Sequence, residues 1–360
     1  MYDKIVVITK KTPLEELIER FNTLSQAKFY IEHSGQSLAE YEAYHGSYQA
    51  ALKRLRQALP SAIKSQFIER GFLTNFLFGE KDLVVTLGPD GLVVNTAKYL
   101  DGQPIMAVNP DRERIDGVLL PFWIEYIEDL LPTVLDGRAQ SENISMAEAR
   151  LDNGQRLLAL NDFFIGPKSH TCLRYAIEHK GVSEEQLSSG IIISTGAGST
   201  GWIRAVMSGA QGIYLGFKKE TEHKFEELER KHDAEKAAKI SVTATPARTP
   251  KMPASSRPDF YPEELRNAPP ANLSHLIRFE RTREELVFMV REPFESKTSK
   301  AGIVFGRITP DTPLKIVSHT PSGGVIFSDG IENDYLEFNS GRTAVINVAE
   351  KKVKLLKATV

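Results

Sequence analysis

The fold of the first third of the chain is decided by residues 82–100, DLVVTLGPDGLVVNTAKYL. An apolar run, a Gly-Pro-Asp-Gly segment and a second apolar run predict a buried strand, a tight turn and a helix. A turn of this kind requires small residues, but it does not require an acid. The carboxylate of Asp90, set between two glycines at the end of a strand, therefore indicates a function.

Strands and helices alternate around this stretch. Strand patterns at residues 5–9 and 104–110 flank it, and helical repeats cover residues 13–25 and 37–60. This alternation predicts a parallel, doubly wound sheet, which is an α/β domain over residues 1–138.

The second half of the chain is predicted to be mainly antiparallel β. Asp-Asn-Gly at 152–154 lies between two strand-like runs and predicts a hairpin in which both turn positions have φ > 0. Short apolar strands separated by turn residues predict a β domain over 139–345, with a charged helix and a Pro-rich arm inserted at 216–270. The arm is either an exposed loop or a flap that covers a cleft or grips a second subunit. The last segment, 346–360, is expected to return to the first domain.

Charge and composition limit the partners. Lys and Arg number 45 and Asp and Glu number 47, so a net charge of −2 provides no general field for nucleic acid or a membrane. No apolar run approaches the length of a membrane span, and the first residues lack a signal-peptide pattern. The one cysteine, Cys172, fits a reducing compartment and is expected to be a buried apolar residue. We expect a cytoplasmic protein.

The first candidate site is the Gly88–Gly91 turn. Glycines at Gly88 and Gly91 let the backbone approach a phosphate closely, and the helix that follows directs its N-terminus at an anion. The carboxylate of Asp90 has the chemistry to orient an attacking hydroxyl or to accept its proton. An ordinary turn explains the same residues structurally.

Two further segments carry polar side chains at strand ends. Asn161 and Asp162 close an apolar strand and have the donors and acceptors to hold a ribose diol, although turn chemistry accounts for them equally well. The stretch SSGIIISTGAGSTGW at 188–202 ends a strand in small and hydroxyl residues and predicts nucleotide binding before a helix near Trp202. It is not a Walker A motif, because it has no Gly-Lys-Ser/Thr.

In order and spacing, these segments resemble the motifs of the NAD kinase family, and their form is closest to the mitochondrial-type members. That family carries Gly-Gly-Asp-Gly, then Asn-Glu, then a Thr-Pro-Thr-Gly-Ser-Thr-Ala-Tyr stretch, then a late Asp-Gly. The matching segments here are Gly88-Pro89-Asp90-Gly91, Asn161-Asp162, Thr195 to Trp202, and Asp329-Gly330.

The resemblance implies a Rossmann-like α/β domain, shared with phosphofructokinases and diacylglycerol kinases, followed by a β-sandwich. It implies transfer of phosphate from ATP with Mg²⁺ to the 2′-hydroxyl of the adenosine ribose of NAD, by a homo-oligomer. Asp90 would be the catalytic residue, with no metal-binding residue assigned. The residues implied to contact the dinucleotide or its phosphates are Gly88, Gly91, Asn161, Asp162, Thr195, Ser199, Thr200 and Trp202.

Several residues depart from the family pattern. Pro89 replaces a glycine and so removes one N–H from the loop, and Leu92 stands in place of a threonine. Asp162 is one methylene shorter than Glu. These changes keep two alternatives open: a dinucleotide-binding regulatory protein with weak or no turnover, and a lipid or sugar kinase of the same superfamily.

Overall fold

The computed structural model describes residues 2–240 and 277–358, and the Pro-rich part of the predicted arm lies outside this range. Its helices are α1 (Pro13–Phe21), α2 (Leu24–His33), α3 (Leu38–Ala58), α4 (Asp90–Ala97), α5 (Ile127–Leu135) and α6 (Trp202–Ile240). Its strands are β1 (Lys4–Thr9), β2 (Lys64–Glu69), β3 (Asp82–Leu87), β4 (Pro104–Asn109), β5 (Phe122–Trp123), β6 (Ser141–Leu151), β7 (Arg156–Ala159), β8 (Asp162–Pro167), β9 (Leu173–His179), β10 (Val182–Ser188), β11 (Gly190–Ser194), β12 (Leu286–Arg291), β13 (Phe305–Ile308), β14 (Leu314–Ser318), β15 (Gly324–Ser328), β16 (Ile331–Glu337) and β17 (Thr343–Leu356).

The first third of the chain forms a parallel sheet layer in the order β2-β1-β3-β4. Strands β3 and β4 are buried along their whole length, which explains why both are continuous apolar runs in the sequence. The sequence pattern missed β2, because this edge strand reads KSQFIE and exposes its first three residues. Asp90 follows β3, so it lies at the carboxyl edge of the sheet, where ligands of open α/β sheets bind.

The last strand joins this layer to the β-rich half. Near its end, Lys354 and Leu355 of β17 pair in parallel with Pro104 and Ile105 of β4. Its earlier residues pair antiparallel with β6 and β14, so one sheet of 11 strands runs through both halves of the chain. The proposed domain boundaries at 138 and 345 stay predictions.

A second sheet of six strands has the antiparallel order β13-β12-β11-β8-β15-β16. Its apolar face shares one core with β9, β14 and β17 of the first sheet, including the buried rings of Phe163, Tyr175 and Phe288. The predicted order along the chain, an α/β part followed by an antiparallel β part, is therefore confirmed.

Two local predictions are wrong. In the hairpin between β6 and β7, only Gly154 has a positive φ, 86°, because the amide of Leu151 bonds to the carbonyl of Gln155 and the turn spans one residue more than a two-residue turn. Cys172 is exposed, because it lies in the connection just before β9 and not within a strand.

The chain divides into two compact units, Met1–Ser199 with Phe279–Val360, and Thr200–Arg278. In the second unit, α6 runs for 39 residues as one helix, which joins the helix predicted near Trp202 to the charged helix predicted after it. Within the described ranges, no helix combines the length and the apolar character that crossing a membrane requires.

Candidate functional site

Asp90 is the first residue of α4, and Pro89 is the N-cap. The residue is partly exposed. An acid in the first turn of a helix is stabilised by the helix dipole. The fold thus presents this carboxylate at the carboxyl edge of the parallel sheet without sealing it in.

A neighbouring loop holds Asp90 in one orientation. The backbone N–H of Leu119 donates to Oδ1 of Asp90 at 2.6 Å. That loop is shaped by Asn109, whose Nδ2 donates to the carbonyl of Ile115 at 2.9 Å and whose Oδ1 accepts the N–H of Asp111. Within the described residues, no hydrogen bond to Oδ2 of Asp90 is found, and the predicted catalytic role of this carboxylate stays a prediction.

The two glycines of the turn have different roles. A Cβ on Gly88 would lie 2.9 Å from Cδ2 of Leu92, the end of a flexible side chain, and 3.6 Å from Cγ of Lys10, so packing favours a glycine there. A Cβ on Gly91 would meet no atom within 4 Å. Gly91 therefore borders open space beside Asp90, as a site for a ligand requires, and Gly88 keeps the turn against Leu92 and the lysine.

Asn161 and Asp162 join β7 to β8, and the carboxylate of Asp329 holds their backbone. Oδ1 of Asp329 accepts the N–H groups of Asn161 at 2.7 Å and Asp162 at 3.2 Å, and Oδ2 accepts that of Leu160 at 3.0 Å. In return, the N–H of Asp329 donates to the carbonyl of Asp162 at 2.9 Å. The side chain of Asp329 is completely buried, so it holds the backbone of Asn161-Asp162 from the interior of the protein.

Burial raises the pKa of both acids in this pair of segments. It has the largest effect on the pKa of Asp162, which it raises to about 7, and the nearby Asp329 carboxylate raises that pKa further. Burial also raises the pKa of Asp329, while Lys98 and the three backbone N–H groups favour its ionised form. Asp162 is therefore a carboxyl group that changes its charge near neutral pH.

The hydroxyl-rich stretch after β11 packs against the same pair. Thr195 donates its hydroxyl to the carbonyl of Leu160 at 2.5 Å, and its N–H to the carbonyl of Asn161 at 2.9 Å. Ser199 donates its hydroxyl to the carbonyl of Gly196 at 2.7 Å. Thr195 and Ser199 are both buried, and their hydroxyls hold the loop; their predicted contacts with the dinucleotide stay predictions.

Gly198 shows how tight this packing is. A Cβ on Gly198 would lie 2.2 Å from the carbonyl oxygen of Asn161. Small residues in this stretch therefore allow two backbone segments to pack closely, in addition to allowing the backbone to approach a phosphate. Thr200 and Trp202 belong to the second unit, and Trp202 is the first residue of α6. The contacts of Thr200 and Trp202 with the dinucleotide stay predictions.

The predicted segments of the first unit converge. One apolar cluster contains Leu92 of α4, Leu119 of the loop and Leu160 beside the Asn-Asp pair, with Ala197 packed against it. The fourth segment joins them because Lys98, at the C-cap of α4, contacts Asp329. A connected set of hydrogen bonds and ion pairs thus runs from the Asp90 helix through Lys98 and Asp329 to Asn161-Asp162, and on to Thr195.

Sequence reasoning missed three contributors to this site. Lys98 and Lys10 were not assigned, and Asp329 was recognised only as part of a motif. Lys98 is the only Lys or Arg in residues 82–100, and that is the signal that could have identified it. Lys10 directly follows β1, at the same sheet edge as Gly88.

The described residues contain no group of three or more His, Cys, Asp or Glu side chains that could hold a metal ion. Mg²⁺ is bound in many kinases through substrate phosphates and one or two carboxylates. A magnesium ion held mainly by nucleotide phosphates needs no such group of side chains, and its binding stays a prediction.

Comparison with known proteins confirms the resemblance. No protein-family model matches the chain. A curated NAD kinase of Cupriavidus pinatubonensis is 28% identical over 129 residues, which are 34% of this chain and 42% of that protein. An NAD kinase of Saccharophagus degradans is 29% identical over 129 residues, 34% of this chain and 43% of that protein. The aligned part therefore spans less than half the length of these relatives.

Solved structures show the same fold at low identity. An NAD kinase from Archaeoglobus fulgidus in complex with ATP matches with a TM-score of 0.50 and 14% identity, over 99% of this chain and 94% of that one. Yeast NADH kinase complexed with NADH matches with a TM-score of 0.52 and 14% identity, over 100% of this chain and 84% of that one. The chain is thus similar to NAD kinases over about a third of its sequence and in its fold.

Proposed function

We propose that the protein transfers a phosphoryl group from ATP to the 2′-hydroxyl of the adenosine ribose of NAD, forming NADP. The observation that carries this proposal is the connected set of contacts linking the Asp90 helix to Asn161-Asp162 and Thr195. Four segments far apart in sequence resemble NAD kinase motifs, and contacts within the first compact unit bring together the first, second and fourth of them and the part of the third up to Ser199. A chance turn at any one of them does not account for this convergence.

The chemistry needs positioning more than covalent help. A secondary hydroxyl is a poor nucleophile, and phosphoryl transfer proceeds through a loose transition state. Oδ2 of Asp90 would orient the 2′-hydroxyl and accept its proton while Oδ1 stays fixed by the N–H of Leu119. Asn161 and Asp162 would hold the ribose on the nicotinamide side. Mg²⁺, bound to the nucleotide, would supply charge neutralisation.

Lys10 would provide a cation on the side of the phosphate donor. The backbone N–H of Lys10 donates to the hydroxyl of Tyr48 at 3.1 Å, and that hydroxyl donates to the carbonyl of Leu87 at 3.1 Å. These contacts fix Lys10 next to the turn where Pro89 lacks an N–H. The next residue, Lys11, instead directs its ammonium group to Glu19 at 2.7 Å. The two lysines therefore form a matched pair for a test.

Replacing Lys10 with Ala is expected to raise the KM for ATP by about 10- to 100-fold, the equivalent of one hydrogen bond to a charged group. The KM for NAD is expected to change little, because the ribose pair is held by other residues. Steady-state kinetics with each substrate varied in turn measures both values. Lys11→Ala is the control and should resemble the wild type. Equal effects of the two substitutions would exclude a specific role for Lys10.

The charge of Asp162 predicts a pH dependence. A carboxyl group with a pKa of about 7 is mostly protonated at pH 6 and mostly ionised at pH 8. The carboxylate can accept one ribose hydroxyl on each of its two oxygens, whereas protonation turns one of these oxygens into a donor. We expect kcat/KM for NAD to be about tenfold higher at pH 8 than at pH 6. Asp162→Asn should lower the value at pH 8 and remove this rise. A variant that keeps the same pH profile would show that another group titrates.

Product formation tests the proposal as a whole. The purified protein is incubated with Mg²⁺, with NAD or NADH as acceptor and with ATP or polyphosphate as donor, and NADP(H) is measured with an NADP-specific dehydrogenase. A thermal-shift series with the same ligands reports binding independently of turnover. Binding of NAD without NADP formation from any donor would favour the regulatory alternative. Phosphorylation of a lipid or a sugar but not of NAD would favour the lipid or sugar kinase alternative.

Homo-oligomeric assembly, the relation to phosphofructokinases and the mitochondrial-type form belong to the same proposal.

A further inference from the structure

Lys98 is a buried cation at the end of the catalytic helix. It is the C-cap residue of α4, and only 6% of its side chain is exposed. Its Nζ lies 3.4 Å from Oδ2 of Asp329, 2.8 Å from Oδ2 of Asp334 and 3.3 Å from the carbonyl oxygen of Ser328. An ammonium group has three N–H donors, and these three oxygens match them.

A buried ammonium group is costly unless it is paired and hydrogen-bonded. The helix dipole favours a cation at this end of α4, but that effect alone does not require burial. The side chain of Asp329 is fully buried as well, and both of its oxygens also accept backbone N–H groups from residues 160–162. Lys98 is therefore joined to the Asn-Asp pair through one shared carboxylate.

We propose that Lys98 is a positioning residue that locks the ribose-binding pair to the helix that carries Asp90, through the carboxylate of Asp329. The inference rests on the proposed function and deepens it, because it names what sets the relative position of the acceptor-binding and catalytic groups. Asp90 and Lys98 lie at opposite ends of one helix of eight residues and its cap. A shift of this helix would move both at once.

The same geometry lets Lys98 affect the pKa, and therefore the charge, of Asp162. The charged groups that act on Asp162 are Asp329, which raises the pKa of that carboxyl, and Lys98, which lowers it. Asp334 is the other acid on Lys98. Removal of the ammonium group would remove the interaction that lowers the pKa of Asp162, so Asp162 would stay protonated to higher pH.

The test measures equilibrium binding of NAD by calorimetry from pH 5.5 to 9 in the wild type, Lys98→Met and Lys98→Arg. For Lys98→Met we expect the midpoint of the pH dependence to rise by about one unit, which weakens NAD binding at pH 7 by up to about tenfold. Lys98→Arg keeps the charge and should restore the wild-type midpoint to within about half a unit. A folded Lys98→Met protein with the wild-type midpoint and affinity would overturn the proposal.

A second variant covers the case in which Lys98→Met fails to fold. Asp334→Asn removes the competing acid from Lys98, and 31% of that side chain is exposed. It should shift the midpoint to lower pH, whereas an unchanged or higher midpoint contradicts the proposal. Because binding is measured and not turnover, absence of phosphate transfer would refute the proposed function without affecting this result.

Discussion

Asp90→Asn is expected to lower turnover of NAD with ATP by about 10²- to 10⁴-fold, the range for loss of a positioned general base. Asparagine keeps the oxygen that accepts the N–H of Leu119, so the turn should retain its shape. It lacks the carboxylate that would take the proton of the 2′-hydroxyl. The affinity for NAD should remain close to that of the wild type, because Asn161 and Asp162 are unchanged. Initial rates and the thermal shift with NAD measure the two effects.

Asp136→Asn is a matched control for this substitution. Asp136 is exposed and pairs only with Arg138 among the ion pairs of the described residues, at 2.7 Å. It should leave turnover within about twofold, as surface substitutions usually do. If Asp90→Asn turned over NAD as fast as this control, Asp90 would have no part in the chemistry.

Asp329→Asn is expected to destabilise the protein by about 3–5 kcal/mol, the range for removing one partner of a buried ion pair. Both carboxylate oxygens of Asp329 accept backbone N–H groups, and an amide side chain offers only one oxygen for them. The substitution also leaves the ammonium group of Lys98 without its buried counter-charge. Asparagine tolerates the left-handed backbone of this position, where φ is 55°, so the change adds no backbone strain to these losses. Urea denaturation gives the free energy of unfolding.

Asp334→Asn provides the comparison, because it removes the other acid from the same lysine. The Asp334 side chain is partly exposed, so the expected loss is about 1 kcal/mol or less. A loss of similar size in the two variants would mean that Asp329 does not organise the backbone of the Asn-Asp pair.

Much of the fold was predictable from local patterns. Strands β3 and β4 are continuous apolar runs because both faces are buried, and the helix after Gly88 begins where the pattern places it. The polar edge strand β2 gave no such signal. Its place is decided by pairing with β1, which is a tertiary contact.

The site was predictable in its residues more than in their roles. Asp90, Asn161 and Asp162 lie at strand ends, where polar side chains indicate a ligand site. The hydroxyls of Thr195 and Ser199 turned inward because backbone carbonyls of neighbouring segments accept them. Lys98 pairs with an acid from the far end of the chain, and no local pattern reveals a contact of that kind.

The position of the new phosphate tests the central claim most directly. A ¹H–³¹P correlation spectrum of the dinucleotide isolated after reaction with ATP identifies the carbon that bears it. We predict a correlation between the phosphorus and the H2′ proton of the adenosine ribose, and its absence from product prepared with Asp90→Asn over the same time. Phosphate on any other hydroxyl, or no phosphorylated dinucleotide from the wild type, would contradict the account.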